Sequence, residues 1–179
     1  MPITYITGGV RSGKSEFAEK LATDFKQPVL YVAFGVNTDS EMQERIERHQ
    51  VRRPHTWGTV EKPYELLAPT NQYQGYEIVL VDCFSTWLTN RLILIPEVEL
   101  RNEKYRIEIL EEVQAWLTRI AEMPQRIIIV SSEVGLGGVA MSTLGRLFHD
   151  LLGECNQLIA QAADEAYAVL SGLPLRLKP

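Results

Sequence analysis

The sequence predicts an α/β fold in which a mostly parallel sheet is flanked by helices and ends in a C-terminal antiparallel hairpin. Three observations carry this. Short apolar runs rich in β-branched residues recur along the chain, segments with apolar residues three and four apart lie between them, and a glycine-rich turn joins the first run to the first helical pattern. The 179 residues suit a single domain spanning 1–179, and 45% apolar with 23% charged residues is ordinary globular composition, enough to bury a core.

The elements follow in order. Candidate strands are Ile3 to Thr7, Val29 to Phe34, Ile78 to Asp82, Ile127 to Ser131 and Ala166 to Ser171. Phe17, Ala18, Leu21 and Ala22 give the first helical pattern, and Ile109, Leu110, Val113, Trp116, Leu117 and Ile120 give the clearest one. Leu144, Leu147, Leu151, Leu152, Leu158 and Ile159 follow the same rule, with Gly153 leaving open whether that helix is continuous. Apolar strands alternating with helices imply a parallel sheet covered on both faces. The tail SGLPLRLK reads as a hairpin adding the last strand.

Composition excludes some functions. No stretch nears the ~20 apolar residues of a membrane span, and the N-terminus lacks the basic start and apolar run of a signal peptide. A cytoplasmic, soluble protein is expected. With 18 Lys and Arg against 23 Asp and Glu, a net charge of −5, no general nucleic-acid grip is expected either. Cys83 and Cys155 lack metal-ligand spacing and read as buried free thiols.

The chemistry concentrates after the first strand. Gly8, Gly9, Val10, Arg11, Ser12, Gly13, Lys14 and Ser15 match GxxxxGKS, the phosphate-binding P-loop, between a strand and a helix. Glycines let successive N–H groups turn onto a phosphate, Lys14 reaches the β and γ oxygens, and the Ser15 hydroxyl suits Mg2+. A second acid is needed on the metal side, and Asp82, ending four consecutive apolar residues, supplies it. Strand-ending aspartates also cap the following helix, so that role stays open.

Between the second and third strands, Thr38 to Pro54 begins as a capped helix, in which Thr38 or Asp39 can cap and Glu41 can complete a capping box with Thr38. Met42, Ile46 and His49 fall near one face, so His49 could point inward. Arg45, Arg48, Arg52 and Arg53 form either a basic patch for further phosphates or a solvated face balanced by Glu41, Glu44 and Glu47. An imidazole can attack phosphorus and form a phosphoramidate, which would divide a nucleotidyl transfer into two steps. His55 and His149 read as surface or helix-packing residues.

These residues bring out a resemblance to the family of bifunctional adenosylcobinamide kinase / adenosylcobinamide-phosphate guanylyltransferase enzymes. It covers nearly the whole chain, through TGGVRSGKS, LYVA, DSEMQERIERHQVRRPHTWGTVE, VLVDCFSTWLTN, SSEVGLGGV and LGRLFHDLLGECNQLIAQAADEAYAVLSGLPLRLK. The resemblance implies a RecA-like P-loop fold, a homotrimer, and two reactions. Adenosylcobinamide would be phosphorylated with ATP or GTP, and GMP would then pass from GTP to adenosylcobinamide phosphate through a GMP-histidine intermediate, releasing pyrophosphate. By motif position that histidine is His49. The same carry-over puts Gly8 to Ser15, Ala33, Phe34, Gly35, Gln50, Val51, Arg52, Arg53, Glu61 and Asp82 at the nucleotide, with Mg2+ at Ser15 and Asp82. Taken without the resemblance, Glu61 reads as a solvent-facing residue ending a strand.

The chain also departs from the family pattern. Arg48, His49 and Gln50 stand where HHK is common, Phe34 and Gly35 replace a small polar pair, Ser132 stands for Asn, and VGLGGVAMS lacks a usual proline. Two other readings compete: a small-molecule kinase without nucleotidyl transfer, and a binding module gated by nucleotide.

Overall fold

The computed structural model describes residues 2–35 and 53–178. Seven strands make one sheet: β1 (Ile3–Gly8), β2 (Val29–Ala33), β3 (Gly58–Glu61), β4 (Ile78–Asp82), β5 (Arg126–Ser132), β6 (Glu165–Leu170) and β7 (Leu173–Lys178). Their order is β3-β2-β4-β5-β1-β6-β7, and every pairing is parallel except β6 with β7. The hairpin expected from SGLPLRLK is therefore present, with Ser171 and Gly172 at positive φ in its turn. Pro174 is tolerated because β7 is an edge strand.

Four α-helices lie among the described residues: α1 (Lys14–Asp24), α2 (Phe84–Leu92), α3 (Glu103–Ala121) and α4 (Thr143–Ala162). They divide the core in two. Alternate residues Ile6, Tyr31, Leu80, Ile128 and Val130 pack with Ala18 and Ala22 of α1. The opposite face, including Tyr5, Val32, Val81 and Ile129, packs under Phe84 and Trp87 of α2, Val113 and Trp116 of α3, and Leu151, Leu152 and Ile159 of α4. Both faces are covered, which is why these strands read as unbroken apolar runs.

Gly153 does not interrupt α4, and a Cβ there would meet nothing within 4 Å. Cys155 is buried and its thiol is pushed up to about 12, chiefly by desolvation. Cys83 departs from expectation: it is free but only half-buried, with its Sγ 3.1 Å from Ser85 Oγ and 3.0 Å from Thr86 Oγ1. Its place just past β4, at the rim of the sheet, leaves it at the edge of the core, packed against it on one side. No described helix is long and apolar enough to cross a membrane.

Candidate nucleotide site

Because β1, β5, β4, β2 and β3 run parallel, their C-terminal ends share one edge. Gly8 pairs with Ser132, Ala33 with Asp82, and Ala33 with Glu61. Candidate residues far apart in sequence are thus placed along one rim, where open parallel sheets bind ligands.

The turn after β1 closes on itself. Ser12 N donates to Gly9 O at 3.2 Å, Lys14 Nζ to Gly9 O at 3.2 Å, and Phe17 N to Gly13 O at 2.9 Å. Glycine is required at two of its positions. Gly13 has φ +92°, and a Cβ on Gly8 would come within 2.5 Å of both Ser12 Oγ and Val169 O. The turn is also braced from outside, since Glu133 N donates to Gly8 O at 3.0 Å and Gly172 N to Ser12 O at 2.8 Å.

Helix α1 differs from α3 and α4 at its start. Asn102 and Ser142 cap those two with side-chain oxygens, whereas Gly13 gives α1 no side-chain cap. Its first N–H groups therefore face the turn with the positive end of the helix dipole behind them, as an anion site requires. Lys14 adds a full positive charge at that spot.

Asp82 is buried at 9% exposure and accepts from Ser15 Oγ at 3.1 Å and from Tyr31 OH at 3.0 Å. It does not cap α2, whose N-cap is Cys83 with no side-chain cap. Among the described contacts, Asp82 is bonded to the P-loop Ser15 and not to the start of α2. Burial, then the Asp82 charge, hold the Tyr31 phenol well above its ordinary range, so it stays a donor at neutral pH. Over its ring lies the Arg53 guanidinium, 3.7 Å from the centroid. A contact chain therefore runs from the P-loop through Ser15, Asp82 and Tyr31 to Arg53.

The other expected residues divide. Ala33 lies on the rim beside Asp82, and Glu61 is exposed at the end of β3. Glu61 lines a cavity of about 530 Å³ with Arg53, His55, Trp57 and Thr59. Phe34 turns its side chain into the core at 1% exposure, leaving its backbone toward the rim, where Phe34 O accepts from Asn90 Nδ2 at 2.7 Å. His49, Gln50, Val51 and Arg52 lie outside the described residues, as do Arg45 and Arg48. His55 is exposed, and His149 sits half-buried on α4 beside the Phe148 ring. Tyr31 and Glu133 were not singled out by sequence reasoning. An alternating strand position makes Tyr31 look like plain core, and only the order of strands puts Glu133 beside the P-loop.

The described carboxylates, cysteines and histidines form no group of three able to hold a metal. The Ser15 hydroxyl and Asp82 carboxylate, 3.1 Å apart, nevertheless form a hard-oxygen pair that fits Mg2+, an ion that keeps several waters and is completed by phosphate oxygens.

Parallel strands ending on a glycine-built anion cradle, with an acid on a non-adjacent strand, define a P-loop nucleotide-binding protein. Comparison with solved structures agrees at the level of fold. An ATPase from the type III secretion system of pathogenic bacteria superposes with TM-score 0.55 over 93% of this chain, at 12% identity, and this chain spans 50% of that one. The chain belongs to the family described as cobinamide kinase / cobinamide phosphate guanyltransferase, which matches residues 4–177. The bifunctional adenosylcobalamin biosynthesis protein CobP of Pseudomonas aeruginosa is 38% identical over 174 residues, covering 97% of this chain and 95% of that protein. The corresponding CobU of Escherichia coli is 36% identical over 179 residues, covering 97% and 98%.

Proposed function

We propose that this protein phosphorylates adenosylcobinamide with ATP or GTP, then transfers GMP from GTP to adenosylcobinamide phosphate through a GMP–His49 intermediate. The observation that carries the reading is the pairing of the P-loop with Ser15 and Asp82, 3.1 Å apart, in a chain matched by the family over residues 4–177. Gly8 to Ser15 would cradle the phosphates, and Lys14 would neutralise charge that develops on the transferred group. Ser15 and Asp82 would hold Mg2+, which would supply neutralisation of phosphate charge.

Arg53 supports the histidine assignment from the side of the described residues. It lies four positions after His49 in sequence and stacks over the ring of Tyr31, whose hydroxyl donates to Asp82. Glu61, Ala33, Phe34, Gly35, Gln50, Val51 and Arg52 would complete the nucleotide contacts. In the guanylyl step His49 would attack the α phosphorus, pyrophosphate would leave, and the phosphate of the second substrate would then displace the histidine. One folded unit acting as a homotrimer suits this reading. The edge strand β7 exposes Leu173, Leu175 and Leu177, a surface another subunit could cover, and light scattering of the purified protein reads the assembly directly.

Incubation with GTP labelled at the α phosphorus should leave acid-labile, base-stable label on the protein, and none on His49→Asn. Label that persists on the variant removes His49 as nucleophile. If γ-phosphate reaches adenosylcobinamide while no protein-bound GMP ever forms, the chain is a kinase alone.

A further inference from the structure

We propose that Glu133 is the general base of the phosphorylation step, taking the proton from the acceptor hydroxyl. This deepens the reading above and rests on its kinase half. Three carboxylates end strands on the rim: Glu61 on β3, Asp82 on β4 and Glu133 just past β5. Asp82 is engaged by Ser15 and Tyr31, and Glu61 is separated from β1 by three intervening strands. Glu133 alone of the three follows the strand that pairs with β1, and its own N–H holds Gly8 O at 3.0 Å. Its carboxylate is anchored through one oxygen, Oε1, by Gly135 N at 2.7 Å, which leaves Oε2 for a second donor. The Glu133 charge is felt by the buried Tyr5 phenol, whose hydroxyl lies by those of Thr7 and Ser131, so the carboxylate sits at the mouth of the β1–β5 strand pair.

The segment that continues from Glu133 matches the acceptor's chemistry. Leu136, Val139 and Met141 are 87%, 84% and 95% exposed, an apolar surface beside the base and suited to the body of a bulky macrocyclic alcohol. In the step, the acceptor O–H gives its proton to Glu133 Oε2, the acceptor oxygen bonds to the γ phosphorus, and the bond from that phosphorus to the β–γ bridging oxygen breaks. The nucleoside diphosphate leaves with the bridging oxygen, and Glu133 releases its proton to water.

Glu133→Gln decides the matter, because a glutamine Oε1 still accepts from Gly135 N while its amide cannot take a proton. Phosphorylation of adenosylcobinamide by γ-labelled ATP is measured for both proteins, with ATP affinity and thermal stability alongside. The expected result is a kcat reduced about 10²-fold or more, the range for loss of a general base, with ATP affinity and midpoint unchanged. A Glu133→Gln protein that retains wild-type kcat overturns the proposal. A wild-type protein that never phosphorylates adenosylcobinamide removes the kinase reading itself, a different and separable outcome.

Discussion

Strands β1 and β5 are neighbours, run the same way and end at the same rim, yet the turns that leave them are opposites. After β1 the chain closes within Gly9 to Gly13, satisfies itself with short hydrogen bonds and enters a helix that packs Ala18 and Ala22 into the core. After β5 it continues through residues 133–142 before α4 begins, presenting Leu136, Val139 and Met141 to solvent. A triphosphate is small, charged and uniform, and a tight backbone nest suffices for it. An acceptor with a large apolar body needs an extended and adaptable surface. The contrast teaches that, on the proposed reading, the donor end of the site is built from hydrogen bonds and the acceptor end from exposed area.

The sharpest way to break this division is at the donor end. Lys14→Ala should lower both reactions by on the order of 10³-fold, as loss of a positioned transition-state charge does. Its thermal midpoint should hold, since Lys14 packs into neither apolar core cluster, and radiometric assay of each reaction reads the effect.

Nearly as large is a response to alkali. Desolvation raises the phenols of Tyr5 and Tyr73 in one core cluster and of Tyr31 in the other. A folded pKa above the unfolded one means the stabilisation is whole below pH ~10 and is lost above it, because unfolded phenols release protons that folded ones keep. The slope is about 1.4 kcal/mol per tyrosine per pH unit. Ultraviolet titration should show three phenols ionising only as circular dichroism reports unfolding. If Tyr31 titrates freely in the folded state, its burial beside Asp82 is not there.

Glycine substitutions compare the two turns at the level of backbone. Gly8→Ala should destabilise by roughly 3 kcal/mol, because its Cβ meets the carbonyl of Val169, which cannot move aside. Gly138→Ala, with nothing within 4 Å, should stay within about 0.5 kcal/mol. Denaturant melts of the two variants decide.

The smallest functional effect belongs to the acceptor end. Replacing Leu136, Val139 and Met141 together by Ser should raise KM for adenosylcobinamide roughly tenfold through lost apolar contact, with kcat and nucleotide affinity unchanged. A changed nucleotide affinity would erase the distinction between the two turns.

Much of this was legible in the chain itself. Strand runs such as Ile78 to Asp82 carry their identity in composition, and α3 carries its own in the spacing from Ile109 to Ile120. The meeting of Ser15 with Asp82, 67 residues later, follows from P-loop chemistry rather than from pattern. What stayed hidden depends on lateral order in the sheet. Nothing local says that β5 lies beside β1, so the position of Glu133 could not be read, and hydropathy does not register that the Tyr31 hydroxyl reaches a carboxylate. Cys83 was misjudged for a related reason, since its exposure depends on where the strand stops. The role of His49 rests on motif and resemblance, because it lies outside the described residues.

The contact of Gly172 with Ser12 has a consequence for biosynthesis. One of the first loops to leave the ribosome has its supporting strut among amino acids translated much later. A nascent polypeptide therefore lacks this strut until translation has passed the β6–β7 turn.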